Sequence, residues 1–469
     1  MKRAITLGGG GPAAGLQMGA LMRLAEAGIT FDVWALSCIG AWVGIVYHQF
    51  DGSPVEQAEK TRAFFYNVFR NDESYSRFPT NTVFGPALGP KMRAVTKFLM
   101  DPRSYQNLWL PHEIMGALND TTALLLDRSR WNAGDFDHWM LNSVLAVNPF
   151  SRFFTSLLYL SNVNGLTKMY YPKGTFLEAI KFKNLYRDDK PFIYHNAWNL
   201  VRKRLQLFSN RRYDGYKDIN AQSLCACSAL PFIEETVTID GDTYCEGALV
   251  QTINFENLLE DHPDLDEIWV VRIIDTQQVR APKCMTDALG NLCMLFAGAL
   301  GEDDVQLFKY HARELGWKGK IIEIRVATDL SYEWSHSNLK RGIEDGYDAA
   351  DEAITFHSFL TTYLAGDKRT AKRHANDLKD YALGFVARAL AADTPAEAAP
   401  AVKSLIKLDG AWRRGPRAEL GKIIYDDKTL DLLMRDLATA GLPPATETAP
   451  VPKTISAHGD GAVRKDLAW

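Results

Sequence analysis

Apolar residues near the start of the chain fall into short runs separated by helically spaced stretches. Ala4-Ile5-Thr6-Leu7 is an apolar run that stops at glycines, the pattern of a short buried strand. From Leu16 to Ala27 the apolar positions recur at helical spacing and end at Gly28, a residue suited to a C-terminal cap. Phe31 to Leu36 reads as a second strand and Ala41 to Phe50 as a second apolar helix. This order predicts a mainly parallel sheet with right-handed crossovers. From about Pro54 to Arg212 the pattern changes to helices and loops rich in large side chains. These include Trp109, Trp131, Trp139, Phe150, Phe153, Phe154, Leu157, Leu158 and Tyr159. The stretch is expected to be a helical cap insertion, either an inner layer or a cover over a binding site.

Sheet-like sequence returns between Ile219 and Ile274, with strands at Val237-Thr238-Ile239 and Ile268-Trp269-Val270-Val271, and a last strand at Ile321 to Val326. Helical sequence follows Ser335. Ala391 to Ala401, rich in alanine and proline, reads as a linker, and the chain from Leu442 as a mobile tail. The expected organisation is a domain over 1–330, a helical extension over 331–441 and a tail over 442–469.

Composition narrows the function classes. The chain has 469 residues, 46% hydrophobic and 23% charged, so a large core can form. A net charge of -4 gives no electrostatic reason to expect nucleic acid. Arg202-Lys203-Arg204 and Arg211-Arg212 read as a solvated helix face. The six cysteines are too scattered for a disulfide framework, and Cys225-Ala-Cys227 lacks the two-residue spacer of a zinc motif. Met1-Lys2-Arg3 precedes no apolar core of signal-peptide length, and no run of about 18 apolar residues occurs. A reducing cytoplasm is therefore the expected location.

Three segments carry candidate chemistry. Gly8-Gly9-Gly10-Gly11-Pro12 lies between a strand and a helix, where a glycine loop can turn its N–H groups toward one anion. Leu36-Ser37-Cys38-Ile39-Gly40-Ala41 lies at the next strand–helix turn, the place of a nucleophile elbow. Such a turn needs a small residue two positions after the exposed side chain, and counting back from Gly40 gives Cys38, not Ser37. In the third segment, Asp240-Gly241 signals a hairpin whose return strand delivers Glu246 to a glycine-containing loop.

In order and placement these segments resemble the patatin-like phospholipase family over about residues 4–275, with the resemblance expected to continue to about 355. Gly9-Gly10-Gly11, followed by Gly19-Ala20-Leu21, matches the family's glycine loop and helix. Cys38-Ile39-Gly40-Ala41 stands where the family has its G-x-S-x-G serine. Cys227-Ser228-Ala229-Leu230-Pro231 resembles the segment ahead of the last motif, and Glu246-Gly247-Ala248 matches the D-G-G/A loop. The resemblance implies a three-layer α/β/α sandwich and a catalytic dyad working without histidine, metal or other cofactor. Carried onto this sequence, it places the nucleophile at Cys38 and the base at Glu246. It places the oxyanion donors at Gly9, Gly10, Gly11 and Ile39.

Two departures bear on the chemistry. Pro12-Ala13-Ala14 replace the family's usual basic residue, and both dyad positions are changed in kind but not in role. A thiol at a helix N-terminus is expected to have its pKa lowered into a range of about 3.5–7.5. The implied substrate is a lipid or other acyl compound, taken through a Cys38 thioester, with an acyl chain under the cap and peripheral contact with a membrane. Acyl transfer from the same thioester and non-catalytic acyl binding are the alternatives.

Overall fold

The computed structural model describes residues 1–442 apart from 73–83, 86–87, 107, 109, 162–163, 170–174, 327–330, 409–415, 418, 422 and 425. Trp109 of the expected cap and the tail after Leu442 lie outside the described residues. Two compact units are present, Met1–Ile354 and Thr355–Trp469.

The first unit opens with β1 (Arg3–Leu7), α1 (Ala14–Glu26), β2 (Val33–Leu36) and α2 (Ile39–His48). Gly28 follows α1 with φ +69°, the left-handed conformation of a capping glycine. After a helical stretch come β3 (Phe192–Asn199), β4 (Arg204–Ser209), α3 (Ala221–Cys227) and the hairpin of β5 (Val237–Ile239) and β6 (Asp242–Glu246). Asp240 and Gly241 turn this hairpin, both with positive φ. The remaining elements are β7 (Glu267–Arg272), α4 (Met285–Glu314), β8 (Lys320–Arg325) and α5 (His336–Leu364), which begins in the first unit and runs on past Ile354.

The central sheet runs β8-β7-β1-β2-β3-β6-β5, with β4 paired to β3. β8 through β3 are parallel, whereas β4, β6 and β5 join antiparallel. All six residues of β7 and all four of β2 are buried, as in a sheet covered on both faces by helices. The expected sandwich is thus present, with a mainly parallel sheet.

Two expectations need correction. The helical insertion was expected to reach Arg212, but Phe192–Asn199 and Arg204–Ser209 are strands of the central sheet. β3 is almost fully buried, so it reads as a continuous apolar and polar run without strand alternation. The expected linker at Ala391–Ala401 is instead largely helical, because Pro395–Lys407 forms a helix in the second unit. Thr394 caps it by accepting from the Glu397 amide, and Pro395 suits the first turn. Leu405, Leu433 and Leu437 are buried in that unit.

Candidate active site

The sheet register explains why two distant segments meet. Along one edge of β3, β2 pairs from Phe192 to His195, with Leu36 opposite His195. β6 runs the opposite way along the same edge and ends with Glu246 opposite Ala197. The ends of β2 and β6 therefore converge, and Asn196 lies between them. Its Oδ1 accepts from the Ser37 hydroxyl at 3.0 Å, and its Nδ2 donates to the Gln251 carbonyl at 3.2 Å. Ser37 is thereby directed into the interior and is fully buried. Sequence reasoning missed Asn196 because it assigned this stretch to the insertion.

Cys38 occupies the turn from β2 into α2 with φ 49° and ψ −120°. Non-glycine residues pay about 1–3 kcal/mol for such conformations, which persist where surrounding structure enforces them. Gly40 is part of that enforcement: a Cβ there would lie 2.1 Å from the Leu7 carbonyl oxygen at the end of β1. Close contact between β1 and the first turn of α2 thus requires glycine. The Cys38 amide donates to Cys227 Sγ at 3.1 Å, tying the elbow to α3.

The Cys38 thiol faces the Glu246 carboxylate closely enough for each to shift the other's ionisation. Burial, then the charges of Glu246 and Cys227, push the thiol well above its ordinary pKa, while a hydrogen bond from the Gly10 backbone opposes them. The expected depression by the helix terminus is therefore overturned. Cys38 is only 8% exposed, and solvent is too remote to stabilise a thiolate beside a carboxylate. Burial raises Glu246 to about 7, opposed by the neighbouring Cys38 thiol. The resting pair is a thiol beside a carboxyl group that titrates near neutrality.

The glycine loop lies next to this pair. A Cβ on Gly9 would come 3.3 Å from Cys38 Cβ. The Gly9 amide already donates to the Thr252 carbonyl at 3.0 Å, which removes it from the expected anion donors. The Gly10 amide faces the Cys38 sulfur, and the amides of Gly11 and Ile39 donate to no protein acceptor among the described residues. The amide of Ile253, in the same peptide unit as the Thr252 carbonyl, donates to Asp304 Oδ2 at 2.9 Å. Burial raises Asp304 to about 7, against the hydrogen bonds from Ile253 and Thr252.

A cavity of about 390 Å³ opens over Cys38, Glu246 and the Gly9–Gly11 loop. Its walls include Trp42, Leu230, Phe232, Leu289, Phe296 and Trp334. Among the described residues, none between 54 and 212 lines it, so the expected cap does not furnish the walls described. They come instead from the segment after α3, from α4 and from the chain ahead of α5. Sequence reading had singled out none of α4, Cys293, Tyr332 or Trp334. The rim is apolar and solvent-facing, with Phe232 64%, Phe296 56% and Leu292 49% exposed. Among the described residues, no group of His, Cys, Asp or Glu is placed to hold a metal ion, and no helix is long and apolar enough to cross a membrane.

No curated protein matches the chain. Among solved structures it is similar to VipD from Legionella pneumophila, at 14% identity over 93% of this chain and 80% of that one, with a TM-score of 0.33. It is also similar to the ExoU–SpcU complex from the type III secretion system of Pseudomonas aeruginosa, at 13% identity over 88% and 73%, with a TM-score of 0.21. These overlaps are too slight to bear on fold or chemistry here. The patatin-like phospholipase family, by contrast, matches residues 5–259, which hold both the elbow and Glu246. That match spans more than half of the sequence, and the chain belongs to the patatin-like phospholipase family.

Proposed function

We propose that this protein hydrolyses a lipid ester or acyl thioester through a covalent thioester on Cys38, with Glu246 as general base. Family membership supports lipid acyl hydrolysis in general. The observation that carries the specific reading is the Cys38 thiol facing the Glu246 carboxylate in the floor of one apolar cavity. Glu246 takes the thiol proton as sulfur attacks the acyl carbon, so no free thiolate need build up in the buried site. The carbonyl oxygen becomes an oxyanion held by amides of Gly10, Gly11 and Ile39. Collapse breaks the bond to the leaving oxygen or sulfur, which receives the proton from Glu246. Water, deprotonated by Glu246, then attacks the thioester, releasing the acid and restoring the thiol.

Acyl transfer from the same thioester is the second reading, favoured by the apolar walls that limit water beside it. The exposed rim of Phe232, Leu292 and Phe296 supports peripheral contact with a lipid surface. No cofactor is required by this chemistry, and the expected setting is the cytoplasm. Intact-mass analysis after incubation with acyl thioesters is the test. A mass gain of one acyl group, absent in Cys38→Ala, is expected. Substrate consumption without such a gain in either protein, even after rapid quenching, would sink the Cys38 assignment. Ligand binding with no turnover would make the protein a non-catalytic acyl binder, and release as a new ester or amide with an added acceptor would identify transfer.

A further inference from the structure

Tyr332 is packed against the glycine loop by two glycines on different elements. A Cβ on Gly11 would fall 2.5 Å from the Tyr332 hydroxyl oxygen and 3.0 Å from Cζ, and Gly11 has φ +51°. A Cβ on Gly290 of α4 would fall 3.0 Å from Tyr332 Cβ. A side chain at Gly11 would displace the ring and one at Gly290 would press on its base, so both glycines make room for one tyrosine. The ring lines the same cavity as Cys38 and Glu246. Its hydroxyl donates to Cys293, whose thiol also faces this cavity.

Granted the Cys38 acyl-enzyme proposed above, we propose that the Tyr332 hydroxyl is a third catalytic group, donating a hydrogen bond to the acyl oxyanion beside the Gly11 amide. The hydroxyl borders the loop whose Gly11 amide has no protein acceptor among the described residues, which is where the carbonyl oxygen lies during attack on Cys38. A hydroxyl rotates about its C–O bond, so its hydrogen can leave the weak sulfur acceptor Cys293 for a full negative charge. Burial and the nearby Cys293, Cys38 and Glu246 keep the phenol protonated, as a donor must be. No proton is transferred and no bond is broken by Tyr332. It supplies one hydrogen bond as charge develops and returns to Cys293 when the charge is gone.

The test is Tyr332→Phe, which removes the oxygen and keeps the ring between the two glycines. The expected result is a kcat lower by about 10²–10³ on an acyl thioester, the scale for loss of one oxyanion donor. KM, the melting temperature and the rate of Cys38 alkylation by iodoacetamide, a reaction with no oxyanion, are expected to stay close to wild type. A trifluoromethyl ketone, which forms an oxyanion adduct with Cys38, should bind more weakly by a similar factor. A variant that keeps wild-type kcat and ketone affinity overturns the role of Tyr332 alone. One that loses kcat, alkylation and melting temperature together shows a structural role and also overturns it. A wild-type protein that never acylates Cys38 overturns this role together with the mechanism beneath it.

Discussion

The sheet-built part of the first unit and the helical stretch over 111–160 place large apolar residues in opposite settings. In the former, Trp42, Trp269, Tyr194 and Phe208 are almost wholly buried. In the latter, Leu126 is 80% exposed, Phe150 69% and Trp131 64%. Apolar density in the sequence is similar in both, so density alone does not identify a core or a ligand pocket. What separates them is backbone geometry. Strand ends and tight turns fix Cys38, Glu246 and the glycine loop, whereas the helices of 111–160 leave large apolar side chains in solvent and supply none of the described cavity walls.

The comparison is broken most directly at Cys38. Cys38→Ala is expected to abolish turnover, by about 10⁴ or more, the loss typical of a removed nucleophile, with an unchanged melting temperature. Cys38→Ser should lose about 10² or more, because the site gives an alcohol less help than it gives a thiol. Steady-state kinetics check both, and wild-type activity in Cys38→Ala would leave the elbow without a chemical role. At Glu246, kcat should rise with pH through about 7 as the carboxyl group ionises and becomes able to accept a proton. Glu246→Gln should lose about 10² in kcat and flatten that profile. The same residue governs stability with the opposite sign. Its folded pKa is raised, so the stability it contributes is present below its ordinary value of 4.5 and is lost as pH rises through about 7. Glu246→Gln should therefore be more stable than wild type at pH 8, on the order of 3 kcal/mol, and similar at pH 4 by denaturant melts.

Smaller effects sharpen the contrast. Gly40→Ala is expected to cost about 1–3 kcal/mol by denaturant titration, since its methyl group meets the Leu7 carbonyl. Leu292→Asp with Phe296→Asp should weaken sedimentation with phosphatidylcholine vesicles, and since both side chains also line the cavity, hydrolysis of a vesicle-borne ester should fall further than that of a water-soluble one. Trp131→Ala and Phe150→Ala should change stability by less than about 0.5 kcal/mol, as exposed side chains do. A large loss there would mean that the insertion is anchored through these residues after all.

Much of the candidate site is legible in the sequence because its cues are local. Glycines after β1, the spacing from Cys38 to Gly40 and the Asp240-Gly241 turn each identify a conformation within a few residues. What stayed hidden depends on partners distant in the chain. β3 lacks alternation because it is buried on both faces, and without it the meeting of Cys38 and Glu246 has no visible cause. Tyr332 carries no motif, and its place is set by Gly11 and Gly290. The thiol's electrostatics were misjudged for the same reason: the helix terminus is visible in the sequence, but the burial that outweighs it is not.

The peptide joining Thr252 to Ile253 has one further consequence. Its carbonyl holds the Gly9 amide while its own N–H is held by Asp304, so a single amide plane joins the glycine loop to α4. Peptide dipoles strengthen when both ends are engaged, by roughly 10–30% per bond. Ionised Asp304 thus makes the Thr252 oxygen a better acceptor and steadies Gly9 without touching it. Deuterium uptake at the Gly9 amide would report this relay, becoming faster in Asp304→Asn although every atom of the loop's own sequence is unchanged.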